Sequence, residues 1–315
     1  MDNISFITVF LISVVFHFII QKLFIYLKKF DDFNHRSIHN TLATRTGGIG
    51  LFMSLLTISL YNYFQGIDLF DYSFFIPLGI MFIVGVYDDF YNADFKLKFL
   101  LQIIVSKILI DQGYVINNYH GLFGIYEVPW LLAQASTIFV FLIIVNSINF
   151  IDGIDGLAIS EIIKTILFVE FLSVKFTPLA PMGMIIIASI LPLYYFNFKE
   201  KQKIFLGDGG SLLLGTTISI YIFYVLGSDF TFKDSFELNK TLFAVLILLY
   251  PLTDLFRVFI IRIKEKKSPF VADQNHLHHI INKRLQNQKL TLLLISTLSI
   301  LIPFVIYKIV SVFDY

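Results

Sequence analysis

The sequence contains no cysteine, so a disulfide framework, a thiol nucleophile and a thiolate metal site are all excluded. Charge is scarce: Asp, Glu, Lys and Arg make up 15% of the 315 residues, against about 25% in a soluble domain. The charges also nearly cancel. With 24 basic and 23 acidic residues the net charge is +1, which leaves no electrostatic footprint for a nucleic acid. No repeat and no low-complexity tract interrupts the chain. What is abundant is apolar bulk: 57% hydrophobic residues, among them 36 Phe and 16 Tyr. Disorder, collagen and coiled coil are thereby excluded, and an all-α polytopic membrane protein remains.

A helix crossing about 30 Å of hydrocarbon needs roughly 20 mostly apolar residues. Candidate spans lie near 4–27, 46–64, 70–87, 97–112, 130–150, 156–173, 178–195, 210–226, 241–261 and 290–310. The expectation is a helical bundle of about ten transmembrane helices, with eleven as the alternative count, forming one integral domain over 1–315. The first span follows Met1-Asp2-Asn3, with no basic n-region and no small-residue cleavage site. It reads as a retained helix.

Basic residues in the loops give the orientation. With the N-terminus outside and the spans alternating, the inner loops carry sixteen Lys and Arg, from Lys28 to Lys289. The outer loops carry three: Lys175, Lys233 and Lys240. Both termini are therefore expected outside. The same alternation puts Asp88, Asp89, Asp152, Asp155, Asp208 and Asp273 on the cytoplasmic side, with His35, His39, His276, His278 and His279. A transporter would keep such residues near the bilayer midplane. Their collection at one water interface suggests an active site facing the cytosol.

Five inner loops carry that chemistry. In the first, FDDFNHRSIHNTLATRTGGIG, Gly47, Gly48 and Gly50 permit close backbone approach. The second ends a span with adjacent Asp88 and Asp89, followed by Lys96 and Lys98. Two hard oxygen donors near lysines suit magnesium and phosphate, although a helix cap is the plain alternative. In the third, NSINFIDGIDGLA, Asn146, Asn149, Asp152 and Asp155 recur every three residues, on one side of a helix end. Gly153 and Gly156 then allow a tight turn. The fourth, FLGDGGSLLLG, sets Asp208 in a glycine-rich turn and Ser211 where a helix cap would stand. Free N–H groups at that helix start would favour phosphate. The fifth, SPFVADQNHLHHIINKR, would place His276 and His279 on one helical face, with His278 to one side. Three histidines could ligate zinc, but carboxylate and amide partners suit magnesium better, so the histidines and Arg262 read as donors to phosphate oxygens. Each loop alone also admits a purely structural reading. Together on one face they describe diphosphate chemistry at a bilayer surface.

On these motifs the sequence resembles the polyprenyl-phosphate N-acetylhexosamine-1-phosphate transferases. The resemblance runs from about Asp31 to Arg284. It rests on Asp88-Asp89 with Lys98 and Gln102, on Asn146 to Ala158, on Phe205 to Gly215, and on Ser268 to His279. Pro251, Asp254 and Arg262 also match. The HLHH form is similar to the branch that starts surface polysaccharides. The first loop departs from the pattern, with Phe33, Leu42 and Thr44 where prolines are usual, and the run Lys199 to Lys203 replaces a Pro-Ala step.

The resemblance implies transfer of HexNAc-1-phosphate from UDP-HexNAc to polyprenyl phosphate, giving polyprenyl-diphospho-HexNAc and UMP. It implies Mg²⁺, with Mn²⁺ as a substitute, held by Asp208 and Asp89. It implies Phe205 stacked on uracil, Asp155 bonded to the base, and Asp152 and Asn149 supporting the nucleotide. Asp88 and Asp89 would lie near the lipid phosphate, with Lys98, and Arg262, His276, His278 and His279 would hold the diphosphate and sugar. Two alternatives stay open: a phospho-MurNAc-pentapeptide translocase, and a transporter or flippase for a lipid-linked sugar. The expected partners are the lipid, the nucleotide sugar and the bilayer, with room for a homodimer. The expected location is the inner membrane.

Overall fold

A computed structural model describes residues 5–30, 42–122, 124–234, 236, 238–268 and 273–313. His35 and His39, with most of the first inner loop, lie outside the described residues. The chain is helical almost throughout, and its strands are short: β1 (Ala43–Thr44) pairs in parallel with β4 (Lys203–Ile204), and β2 (Asn118–Leu122) pairs antiparallel with β3 (Ile125–Glu127).

All ten expected spans are helices. Seven are long and apolar enough to cross a membrane: α1 (Phe6–Tyr26), α2 (Gly47–Phe64), α3 (Phe75–Tyr91) with the 3-10 turn before it, α5 (Trp130–Ile151), α7 (Ala180–Asn197), α8 (Gly207–Leu226) and α12 (Gln288–Phe313). The expected span 241–261 is two helices, α9 (Lys240–Ile247) and α10 (Leu249–Lys264), bent by 70°. Pro251, which lacks the N–H that would bond to Ile247, follows the bend. Counted as one span, this pair makes eight. The expected spans at α4 (Phe95–Asp111, 17 residues) and α6 (Leu157–Leu172, 16 residues) are helical, but shorter than a typical crossing and more charged. A short α11 (Leu277–Leu285) precedes α12.

The chain divides into two compact units, 1–94 with 178–214 and 95–177 with 215–315. In the first, α1 packs on α7 and α2. The buried face of α1 is Val9, Ser13, His17 and Gln21, a four-residue step that is mostly polar inside an apolar helix. Ser13 Oγ donates to the Ser189 carbonyl at 2.5 Å, and the His17 ring lies 3.2 Å from the same oxygen. Gln21 donates to the Gln202 carbonyl at 2.6 Å. Polar groups thus face protein while Ile7, Leu11, Val15 and Ile19 face outward, the arrangement a bilayer favours.

In the second unit α5 packs on α4 and α10, and α6 on α12. Asn146 of α5 and Gln102 of α4 exchange amide hydrogen bonds, at 2.8 and 3.4 Å. Lys164 bonds to Glu161 at 2.5 Å and to Ser299 of α12 at 2.6 Å, and Ser299 donates back to Glu161. Each charge in this buried cluster is met locally.

Candidate active site

In the first unit the approach to α8 is zipped to the end of the first inner loop. Phe205 N–H donates to the Thr44 carbonyl, and Gly47 and Gly48 N–H donate to the Phe205 and Leu206 carbonyls, all at 2.8–2.9 Å. A Cβ on Gly48 would collide with the Gly210 backbone, which explains the glycine there. α8 begins at Gly207, so Asp208 lies in its first turn. Ser211 is inside the helix, donating weakly to the Asp208 carbonyl, and is not the cap its position in the sequence suggested.

The cap is Asp89. Its carboxylate, from the last turn of α3, accepts the N–H groups of Asp208 and Gly209, each at 3.1 Å. Arg45 stands 3.6 Å away. Two of the α8 N–H groups expected to be free for phosphate are therefore engaged by a carboxylate, which is stabilising there for the same electrostatic reason. Asp88 is buried and accepts the Ala93 N–H at 2.7 Å, closing the turn after α3. Phe205 and Asp208 are half-buried.

In the second unit Asn149 lies in the last turn of α5, Asp152 is its C-cap, and Asp155 follows in the turn before α6. Gly156 turns the chain with a φ of 82°. Lys98 is in the first turn of α4, half-buried. Gly153 has a different reason to be glycine: a Cβ there would lie 2.5 Å from His278 Nε2 and 2.9 Å from His279. Two motif loops more than a hundred residues apart thus meet.

Only His278 and His279 lie in α11, which starts at Leu277; His276 is extended at the N-cap position, and its side chain makes no capping bond. The rings nonetheless cluster, with centroids 5.3 Å apart for His276 and His278, 6.0 Å for His276 and His279, and 4.2 Å for His278 and His279. Asp254 of α10 organises them. One oxygen accepts the Leu277 N–H at 2.6 Å, capping α11, and the other lies 2.6 Å from His276 Nδ1. Arg257, one turn on from Asp254 in α10, donates to the Asn275 carbonyl at 2.5 Å. The signal was available, since an acid inside the apolar run LYPLTDLF is costly unless it has a task.

Arg262 is fully buried, donates to Asp273 at 2.8 Å and stands over the Phe150 ring at 5.6 Å. Burial opposes the charge on Asp273, but the Arg262 and Asn275 hydrogen bonds and the Arg262 charge outweigh it and hold the carboxyl down at about 2. Burial, then the neighbouring rings, pushes His278 well below its ordinary value. Burial, then the His276 charge, lowers His279 to about 4. Both shifts favour the neutral imidazole at pH 7. His278 Nε2 and His279 Nδ1 are buried with no hydrogen-bond partner among the described residues. Orphaned buried nitrogens beside a glycine invite a ligand.

Asp254, His276 and His278 converge closely enough to hold a metal ion, their ligating atoms all within 4.8 Å of one another. Two imidazoles and a carboxylate are a donor set for a transition metal more than for magnesium. Asp89 and Asp208 offer oxygen alone, the donor type magnesium takes.

Residues 72–226 match the family described as Glycosyl transferase family 4. A Bacillus subtilis protein named as a probable undecaprenyl-phosphate N-acetylglucosaminyl 1-phosphate transferase is 30% identical over 267 residues, 83% of this chain and 72% of its own length. A Mycobacterium leprae decaprenyl-phosphate N-acetylglucosaminephosphotransferase is 29% identical, covering 78% and 67%. An Escherichia coli K12 undecaprenyl-phosphate alpha-N-acetylglucosaminyl 1-phosphate transferase is 27% identical, covering 87% and 75%. These similarities, in a chain whose described residues include seven membrane-length helices, make it a member of the polyprenyl-phosphate HexNAc-1-phosphate transferase family.

Proposed function

We propose that this membrane phosphotransferase moves HexNAc-1-phosphate from UDP-HexNAc to polyprenyl phosphate, releasing UMP. The observation that carries the reading is the meeting of the NFIDGIDG turn with the histidine cluster at Gly153, beside buried Arg262. The relatives' names supply the acceptor class, undecaprenyl or decaprenyl phosphate, and make UDP-GlcNAc the first donor to test. We assign the protein to the inner membrane, with its motif loops on the cytoplasmic side and both termini outside. A first membrane step of surface-polysaccharide synthesis fits that assignment.

In this reading the lipid phosphate oxygen attacks the sugar-linked phosphorus and UMP leaves. The sugar C1–O bond stays intact, so the anomeric configuration is retained. A lipid phosphate is already ionised near pH 7, so the protein's work is positioning and charge neutralisation. Arg262, aligned by Asp273, offers a fixed guanidinium to a diphosphate oxygen. The neutral rings of His278 and His279 each offer one N–H without adding charge. Within the first unit, Phe205 is the residue proposed to stack on the base; within the second, Asn149, Asp152 and Asp155 are those proposed to contact the nucleotide. Asp89 and Asp208 would hold Mg²⁺, Asp89 already fixed by two amides. Bound there, the ion would neutralise phosphate charge.

Purified protein with undecaprenyl phosphate, Mg²⁺ and a panel of UDP-sugars tests the reading by UMP release. UMP formed only with both substrates supports it. Binding or transport of lipid-linked sugar with no UMP would overturn it, and preference for UDP-MurNAc-pentapeptide would move the chain to the translocase branch.

A further inference from the structure

The second unit contains a cavity of about 690 Å³, a ligand-sized volume, far along its helices from the motif loops. α6 begins at the motif turn and contributes its late residues Phe168 and Phe171, and α12 begins after the histidine helix and contributes Ile300 and Phe304. α9 adds Phe243 and Ile247. The walls are aliphatic and aromatic. At the deep end lies Lys164, whose ammonium is drawn aside to Glu161 and Ser299, leaving its stem against the space. At the other end stand Lys308, exposed, and Tyr307, stacked on Phe236 at 4.5 Å.

An exposed cation with Tyr307 thus stands at one end of the cavity, the Lys164–Ser299 pair at the other, and aliphatic and aromatic side chains line the space between. That arrangement matches one lipid molecule standing in a leaflet, with its phosphate at the surface and its chain below. The flanking helix faces are also lipid-facing in character, since Phe171 and Phe304 are exposed and α12 is mostly unburied. We propose that this cavity holds one acyl chain of an anionic phospholipid, from the leaflet opposite the motif loops, with its phosphate at Lys308. The site is separate from the transfer chemistry and does not depend on the proposed reaction.

The chain has a single tryptophan, Trp130, which makes a clean test possible. A Phe168→Trp reporter in a Trp130→Phe background would be reconstituted in phosphatidylcholine vesicles containing phosphatidylglycerol, with bromine on the acyl chains of one lipid at a time. Reporter quenching should favour brominated phosphatidylglycerol, on the order of fivefold for one lysine at an anionic headgroup. Lys308→Gln should remove that preference while leaving quenching by phosphatidylcholine. Ile300→Phe, which narrows the cavity, should weaken quenching by both. Equal quenching by the two lipids would mean ordinary bilayer contact and overturn the proposal. So would loss of quenching on adding undecaprenyl phosphate, which would give the cavity to the substrate tail. Quenching that falls as protein density rises, with cross-linking between copies through Phe171→Cys, would give it to a second copy and equally overturn it.

Discussion

Asp89 and Asp254 do the same local job in different units, and the difference lies in their second partner. Each reaches from a membrane helix to cap the start of another, α8 for Asp89 and α11 for Asp254. Asp89 gives both oxygens to backbone amides. Asp254 gives one to an amide and one to the His276 ring. In the first unit the candidate site is therefore built on backbone packed against glycine, and in the second on side chains that hold one another. Backbone contacts cannot yield to an added atom, whereas side-chain networks shift and couple.

The largest effect expected from that contrast is on folding. Gly48→Ala drives a methyl group into the Gly210 backbone and should destabilise the protein by about 1–3 kcal/mol or more. Gly153→Ala meets only the ends of two imidazoles, which can swing away. It should keep its thermal midpoint and lose UMP release. Equal losses of midpoint in detergent would break the comparison.

Next comes chemistry. Asp208→Asn keeps volume and removes a charge, and turnover should fall on the order of 10²-fold, the scale of one electrostatic stabiliser. Turnover near wild type at saturating Mg²⁺ would remove Asp208 from the site.

A smaller effect separates coupling from packing in the second unit. Arg262→Lys and Asp273→Asn remove opposite ends of one 2.8 Å hydrogen bond. Their double-mutant cycle in kcat/KM should show a coupling of about 0.5–3 kcal/mol. Additive losses would mean that Asp273 does not align Arg262.

The smallest expected effect is a slope with pH. His279 is held down at about 4 in the folded state, against 6.5 for a free imidazole. Between these values the unfolded chain binds a proton that the folded chain refuses. Its contribution to stability is therefore complete above pH 6.5 and declines as pH falls to about 4. Thermal midpoints in detergent between pH 7 and 4.5 should fall less steeply for His279→Gln than for the wild type. Identical slopes would mean that His279 is solvated.

The helices and the motif loops were legible because hydropathy marks a membrane crossing and a cluster of Asp, Asn and Gly marks its end. All ten expected segments are helical for that reason. The break at Leu248 was hidden because proline is not decisive alone: Pro192 and Pro303 lie inside intact helices, while Pro251 follows a 70° bend. Packing chooses among them. The Asp254 cap of α11 and the Asp89 cap of α8 were hidden because each is a carboxylate from another part of the chain. Spacing within a motif shows which residues are neighbours along a helix, but not where the helix starts. The polar face of α1 was readable in principle, since Ser13, His17 and Gln21 recur every four residues, but the mean hydropathy of 2.1 for that span averages it away.

That stripe has a consequence during biosynthesis. The carbonyl that receives Ser13 and His17 belongs to Ser189, 176 residues downstream of Ser13. At about 5–20 residues per second a ribosome needs roughly 10–35 s to make that stretch. Throughout that interval Ser13 and His17 lack the carbonyl they meet in the folded protein, and α2, made long before, meets the His17 ring at Gly50. A nascent chain stopped before α7 therefore holds α1 against α2 with the Ser13 and Gln21 partners still missing.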